Sequence, residues 1–200
     1  EIGHSFANLS DEYEYAGGSP HEAFNATSET IRKKIKWKMW IDSTTPVPTP
    51  DISNYDQNVG LFEGAVYSAT GWYRPKRNCK MRNLNVPFCE ICCERFIQTI
   101  YEKISPIESF FPVDSSQIVS PEENQKFSLN LIQPDPPTLK IQWFLNGILV
   151  ESDKDSLNIK ESQLANGINK LSAIVEDTTM TVLVSVTLNG IGKYFVDDAN

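Results

Sequence analysis

Histidine is scarce in this chain, with two residues in 200. Chemistry that depends on imidazole is therefore confined to His4 and His21. Cysteine is confined as well: Cys79, Cys89, Cys92 and Cys93 share one short stretch, and the last hundred residues have none. An antibody-like disulfide in the second half is thereby excluded. No apolar run approaches the ~18 uncharged residues that a membrane-spanning helix requires. Basic residues are outnumbered, 18 Lys+Arg against 26 Asp+Glu, for a net charge of −8. That balance argues against a phosphate-binding surface and so against nucleic acid as a partner. A secretory leader is not visible either, because the chain opens on Glu1-Ile2-Gly3-His4. An opening in mid-motif reads as a fragment or a processed product. What is present is ordinary for a globular protein, 40% hydrophobic and 22% charged, at a length that suits one or two domains.

The character of the chain changes near Ser105-Pro106, which divides it into 1–105 and 106–200. After that step, short β-branched runs alternate with turn signals. Phe127–Ile132, Leu139–Leu145, Leu157–Lys160, Lys170–Glu176, Thr181–Leu188 and Lys193–Val196 read as strands. Asn146-Gly147, Asn166-Gly167 and Asn189-Gly190 read as hairpin turns, since both residue types tolerate positive φ. Such spacing predicts an immunoglobulin-like β-sandwich with Trp143 in its core. The first half is mixed. Cys93–Ile104 places Phe96, Ile97, Ile100, Tyr101 and Ile104 on one helical face and stops at Ser105-Pro106. Ser28–Ile41 fits a helix or a strand, and Gly60–Tyr73 a loop or a strand. The sequon Asn25-Ala26-Thr27 matches the glycosylation pattern, which is common by chance.

The opening carries the chemistry. A histidine before Glu1 would complete H-E-x-x-H, which sets two imidazoles one helical turn apart with the glutamate beside them. A catalytic zinc takes three protein ligands and keeps one position open. In metzincin peptidases a glycine breaks the helix three residues after the second histidine, and the third ligand follows three further on. Those positions are Ala7 and Ser10 here, so that spacing fails. Asn8 also tolerates the left-handed conformation. A break there moves the third ligand to Asp11, with Glu12 as its rival.

This opening, with Gly60-Leu61-Phe62-Glu63-Gly64-Ala65, Tyr73-Arg74-Pro75, Cys79-Lys80-Met81-Arg82 and Phe88-Cys89-Glu90-Ile91-Cys92, resembles the IgA-peptidase family of bacterial metallopeptidases. The likeness extends through Trp143-Phe144-Leu145-Asn146-Gly147 and Val175-Glu176-Asp177-Thr178-Thr179. It implies an α+β fold, the end of a metzincin-like catalytic domain followed by the sandwich. It also implies a secreted or cell-surface zinc endopeptidase acting on protein or peptide substrates. Glu1 would be the catalytic base, His4 a zinc ligand, and Met81 the methionine of the Met-turn beneath the metal. Without the preceding histidine, residues 1–200 alone are expected to be inactive.

Other residues admit two readings. Glu63 is a carboxylate behind the metal site or a turn carboxylate. Tyr73 and Arg74 line a substrate cleft or pack a loop, and His21, after Gly17-Gly18-Ser19-Pro20, reads as an exposed loop residue. For the cysteines, a structural zinc finds only three well-spaced ligands in Cys79, Cys89 and Cys92, or four with Cys93. Secretion favours a disulfide from Cys79 to Cys89 or Cys92. Two rival functions remain: a non-catalytic binding or adhesion module on a peptidase-like scaffold, and a sandwich that binds glycan. Phe110, Phe111, Tyr194 and Phe195 are the candidate aromatic stripe for the second.

Overall fold

A computed structural model describes residues 1–15, 18–113, 116–118, 124–179 and 193–196. The chain divides into two units, Glu1–Ile100 and Tyr101–Asn200. The division falls a little ahead of the Ser105-Pro106 step expected from composition. Tyr101 is the reason: it packs on the second unit's core, and its hydroxyl donates to Asp177 Oδ2 at 2.6 Å.

Regular structure is sparse in the first unit. Helix α1 is one turn, Ile2–Ser5. Gly60–Tyr73 resolves as an antiparallel hairpin, β1 (Phe62–Ala65) with β2 (Ser68–Arg74). The segment with two readings, 28–41, is neither helix nor strand but two short 3-10 turns, Arg32–Lys34 and Lys38–Trp40. Its side chains are anchored singly, as when Trp37 Nε1 donates to the Gly60 carbonyl at 2.8 Å. Helix α2 runs Glu90–Lys103 and starts earlier than expected. Its buried residues are Ile91, Cys92 and Thr99, with Phe96 partly buried, while Ile100 is exposed. The expected apolar stripe is thus displaced, because Ile91 and Cys92 set the inward face one turn before the predicted start. The core of this unit gathers Ala7, Leu9, Ile35, Trp37, Leu61 and Met81 with three of the cysteines.

The second unit is β-structure. One sheet has the order β4-β10-β9-β6-β7, and the other has β3-β5-β8. The strands are β3 Ile107–Phe111, β4 Ser116–Ile118, β5 Gln125–Leu131, β6 Leu139–Leu145, β7 Ile148–Ser152, β8 Ser156–Ile159, β9 Ile168–Asp177 and β10 Lys193–Val196. Leu139, Ile141, Trp143 and Leu145 alternate inward along β6, and Leu171, Ala173 and Val175 do so along β9. They meet Phe127 and Leu129 of β5 and Leu157 and Ile159 of β8 in one core, as two facing sheets require. Asn146-Gly147 turns β6 into β7 with φ of +53° and +80°. Asn166-Gly167 makes no hairpin. It lies between β8 of one sheet and β9 of the other, and only Gly167 takes positive φ. Thr181–Leu188 and Asn189-Gly190 lie outside the described residues, as do the side chains of Tyr194 and Phe195. Over the described residues the chain is mainly β-sheet with few helices. The α+β layout expected for the first half reduces there to α1, the hairpin and most of α2.

Candidate functional site

Helix α1 ends where Asn8 takes φ +51°. The Asn8 N–H returns to the His4 carbonyl at 3.1 Å and the Leu9 N–H to that of Gly3 at 2.9 Å. This is a left-handed helix stop that leaves few carbonyls unpaired. Gly3 has little room above the methionine: a Cβ there would stand 2.5 Å from Met81 Sδ. We expect Asn8→Ala to destabilise the protein by up to about 1 kcal/mol, because alanine lacks the short polar side chain through which asparagine tolerates left-handed backbone. Asn8→Gly should be tolerated. Denaturant midpoints of the two variants compare them directly.

The stop folds the chain back so that Asp11 faces His4, with Asp11 Oδ1 3.1 Å from His4 Nε2. His4 Nδ1 lies 2.8 Å from the Leu9 carbonyl, so Nδ1 must carry a proton and donate. Nε2 then faces a carboxylate oxygen, a contact made either by a second proton, as an ion pair, or by a cation held between the two atoms. Ligands of one zinc at ~2.0–2.2 Å lie about this far apart. Asp11 Oδ2 accepts the hydroxyls of Tyr13, at 3.0 Å, and Tyr67. The bond to Asp11 also raises the Tyr67 pKa, because a phenolate would face the carboxylate. Backbone bonds from Val66 N to Asp11 O and from Tyr67 N to Tyr13 O hold the segment against the hairpin turn.

Glu12, the next residue, turns instead to the cysteines. It is fully buried, and its N–H donates to the Met81 carbonyl at 2.9 Å. Glu12 Oε1 accepts from Asn25 Nδ2 at 2.8 Å and lies 3.5 Å from Cys92 Sγ; Oε2 has no partner among the described residues. Burial holds the Glu12 pKa well above the usual carboxylate range. Around it stand Cys79, Cys89 and Cys92, all buried. The expected disulfide is absent: all four cysteines are free, and the Cys79 and Cys92 sulfurs are 3.6 Å apart, against ~2.05 Å for a bond. Cys93 points elsewhere, toward the Phe88 carbonyl. Thiol donation from Cys89 and Cys92 to the Cys79 sulfur lowers the Cys79 pKa and raises theirs.

The remaining sequence candidates fall in several places. Glu63 is exposed and accepts the Gly71 N–H at 2.8 Å, as a turn carboxylate does. Arg74 does not line a cleft. It is fully buried, donates to the Glu63 and Gly64 carbonyls, and pairs with Asp51 at 2.7 Å. Tyr73 packs partly buried on the core while its backbone exchanges bonds with Thr27. Met81 is buried beneath α1. Ser10 Oγ turns to His21 Nε2 at 2.9 Å, so His21 is exposed yet bonded. Asn25 is fully buried with both amide atoms engaged, which removes the sequon as a glycan site in the folded chain. Glu1 is exposed at the start of α1, three residues from His4 and hence on the same face. Nothing in the sequence marks Tyr13 and Tyr67 as partners of Asp11, although Tyr13 follows directly on Asp11-Glu12.

A family model described as IgA Peptidase M64 matches residues 51–100. That stretch holds the hairpin, Met81 and the cysteines, and His4, Asp11 and Glu12 precede it. No curated protein matches the chain. Among solved structures, a quinonprotein alcohol dehydrogenase-like protein from Bacteroides thetaiotaomicron is 19% identical with a TM-score of 0.34. The match covers 45% of this chain and 18% of that one. Fibronectin(III)-like modules of Clostridium thermocellum CbhA are 13% identical with a TM-score of 0.34, over 44% of this chain and 93% of theirs.

Proposed function

We propose that the first unit carries active-site residues of a secreted or cell-surface zinc endopeptidase that cleaves protein substrates. The observation that carries this reading is the approach of His4 Nε2 and Asp11 Oδ1 to 3.1 Å, the separation that two ligands of one cation would have. The family match over 51–100 supports a peptidase. His4 and Asp11 would hold the metal, and the H-E-x-x-H spacing assigns a further ligand to the position before Glu1. Bound zinc supplies Lewis acidity toward a peptide carbonyl and toward water. Glu1 takes the proton of the attacking water and returns it to the departing amine. The Leu9 carbonyl fixes the tautomer and tilt of His4, and the hydroxyls of Tyr13 and Tyr67 fix Asp11.

The test is Glu1→Gln in the full-length protein. Zinc content should match the wild type, because no ligand is lost, while kcat on a protein substrate falls roughly 10²–10⁴-fold. A non-catalytic binding module would show no chelator-sensitive hydrolysis in the wild type and no change in the variant.

A further inference from the structure

We infer that Cys79, Cys89, Cys92 and Glu12 form a second, structural zinc site, separate from His4 and Asp11. The four ligand atoms lie within 4.8 Å of one another, and all four residues are buried. Tetrahedral zinc with Zn–S of ~2.3 Å and Zn–O of ~2.0–2.2 Å sets S···S at about 3.8 Å and S···O at about 3.5 Å. The structure has 3.6 Å from Cys79 Sγ to Cys92 Sγ and 3.5 Å from Cys92 Sγ to Glu12 Oε1.

The carboxylate is the strongest sign of a missing partner. Glu12 is fully buried, and its Oε2 receives no hydrogen bond from the described residues. A buried unpaired carboxylate oxygen is costly, and a cation among three sulfurs would satisfy it. Cys89-x-x-Cys92 has the short spacing of metal-binding pairs, here at the start of α2. Cys79 approaches from the loop before Met81, and the Cys89 N–H donates to its sulfur at 3.3 Å, which favours a thiolate.

The ligand set is soft and complete. Three thiolates and one carboxylate select zinc over oxygen-preferring cations, and four protein ligands leave no open position, as in structural sites. Binding exchanges the thiol protons, and any proton on Glu12, for the metal, and the protons go to solvent. Buried Arg74 lies within electrostatic reach of Glu12 and offsets part of the remaining negative charge. The metal would tie three places together: the segment carrying Asp11 and Glu12, the Met81 loop, and the start of α2.

The test uses the 200-residue chain purified under reducing conditions. We expect zinc in one-to-one ratio, retained in His4→Ala and in Cys93→Ser and lost in Cys92→Ala. Retention in His4→Ala separates this site from the proposed catalytic one. Cobalt replacement of the zinc should give sulfur-to-cobalt charge-transfer bands and the intense visible bands of tetrahedral geometry. Cys92→Ala need not fold for the test to decide, because the wild type is also titrated with a thiol reagent. Native protein should react at Cys93 alone, and chelator should expose the other three thiols as zinc is released. Four thiols titrating without zinc would overturn the site in favour of a bare thiol cluster. Two thiols missing after denaturation without reductant would overturn it in favour of a disulfide.

Discussion

Asp11→Asn in the full-length protein is expected to abolish chelator-sensitive proteolysis and to strip the metal at His4. Zinc at the cysteine cluster should stay. Asparagine keeps the shape of aspartate and an oxygen that can accept the Tyr13 and Tyr67 hydroxyls. What it loses is the negative charge facing His4 Nε2 at 3.1 Å, and a neutral amide is a poor zinc ligand. Tyr67→Phe removes only one bond to Asp11 Oδ2 and should weaken that metal roughly 10–100-fold, as changes behind a metal ligand do. Glu12→Gln gives the opposite pattern, with the cysteine-held zinc weakened and the His4 site still able to bind. Metal analysis with turnover on each variant checks all three. Unchanged zinc and turnover in Asp11→Asn would make the His4–Asp11 contact a simple ion pair.

Asp11 and Glu12 show how far sequence alone reaches. Spacing from His4 narrows the carboxylate that returns to it to these two neighbours, and the left-handed tolerance of Asn8 points to the later helix stop. It could not reveal that the folded chain sends these adjacent carboxylates to different places, one to His4 and one to the cysteines. The fourth ligand of the cysteine cluster was hidden for the same reason, since Glu12 and Cys92 are brought together from opposite ends of the first unit.

Alternation worked where both faces of a strand differ. β6 and the backbone of β10 have the boundaries read from the sequence, and β5, β8 and β9 differ by a residue or two at their ends. It failed at β7, where Ile148, Leu149 and Val150 are consecutive apolar residues on an exposed edge. It failed also at 28–41, where no repeat holds because Ile35 and Trp37 are buried one by one between turns. Arg74 could not be placed from composition. A fully buried guanidinium depends on the Glu63 and Gly64 carbonyls of the hairpin and on Asp51 before it, partners that only the folded chain brings together.

The second large effect lies in the sandwich. Trp143 is 1% exposed at the middle of β6, and its indole Nε1 donates to the Lys154 carbonyl at 2.9 Å. Its ring belongs to the one core that residues of both sheets share. Trp143→Ala should cost ~3–5 kcal/mol, as truncation of a large buried aromatic does, because the facing sheets cannot close fully over the void. Small domains have only about 5–15 kcal/mol in total, so much of the second unit's stability would be gone. Trp143→Phe keeps most of the ring volume and gives up the bond to Lys154, so its loss should be clearly smaller. Guanidinium unfolding followed by far-ultraviolet circular dichroism measures both. The transition of the second unit should move to lower denaturant while that of the first stays in place. A change below ~1 kcal/mol in Trp143→Ala, the size of an ordinary substitution, would mean that the indole is not seated between the sheets.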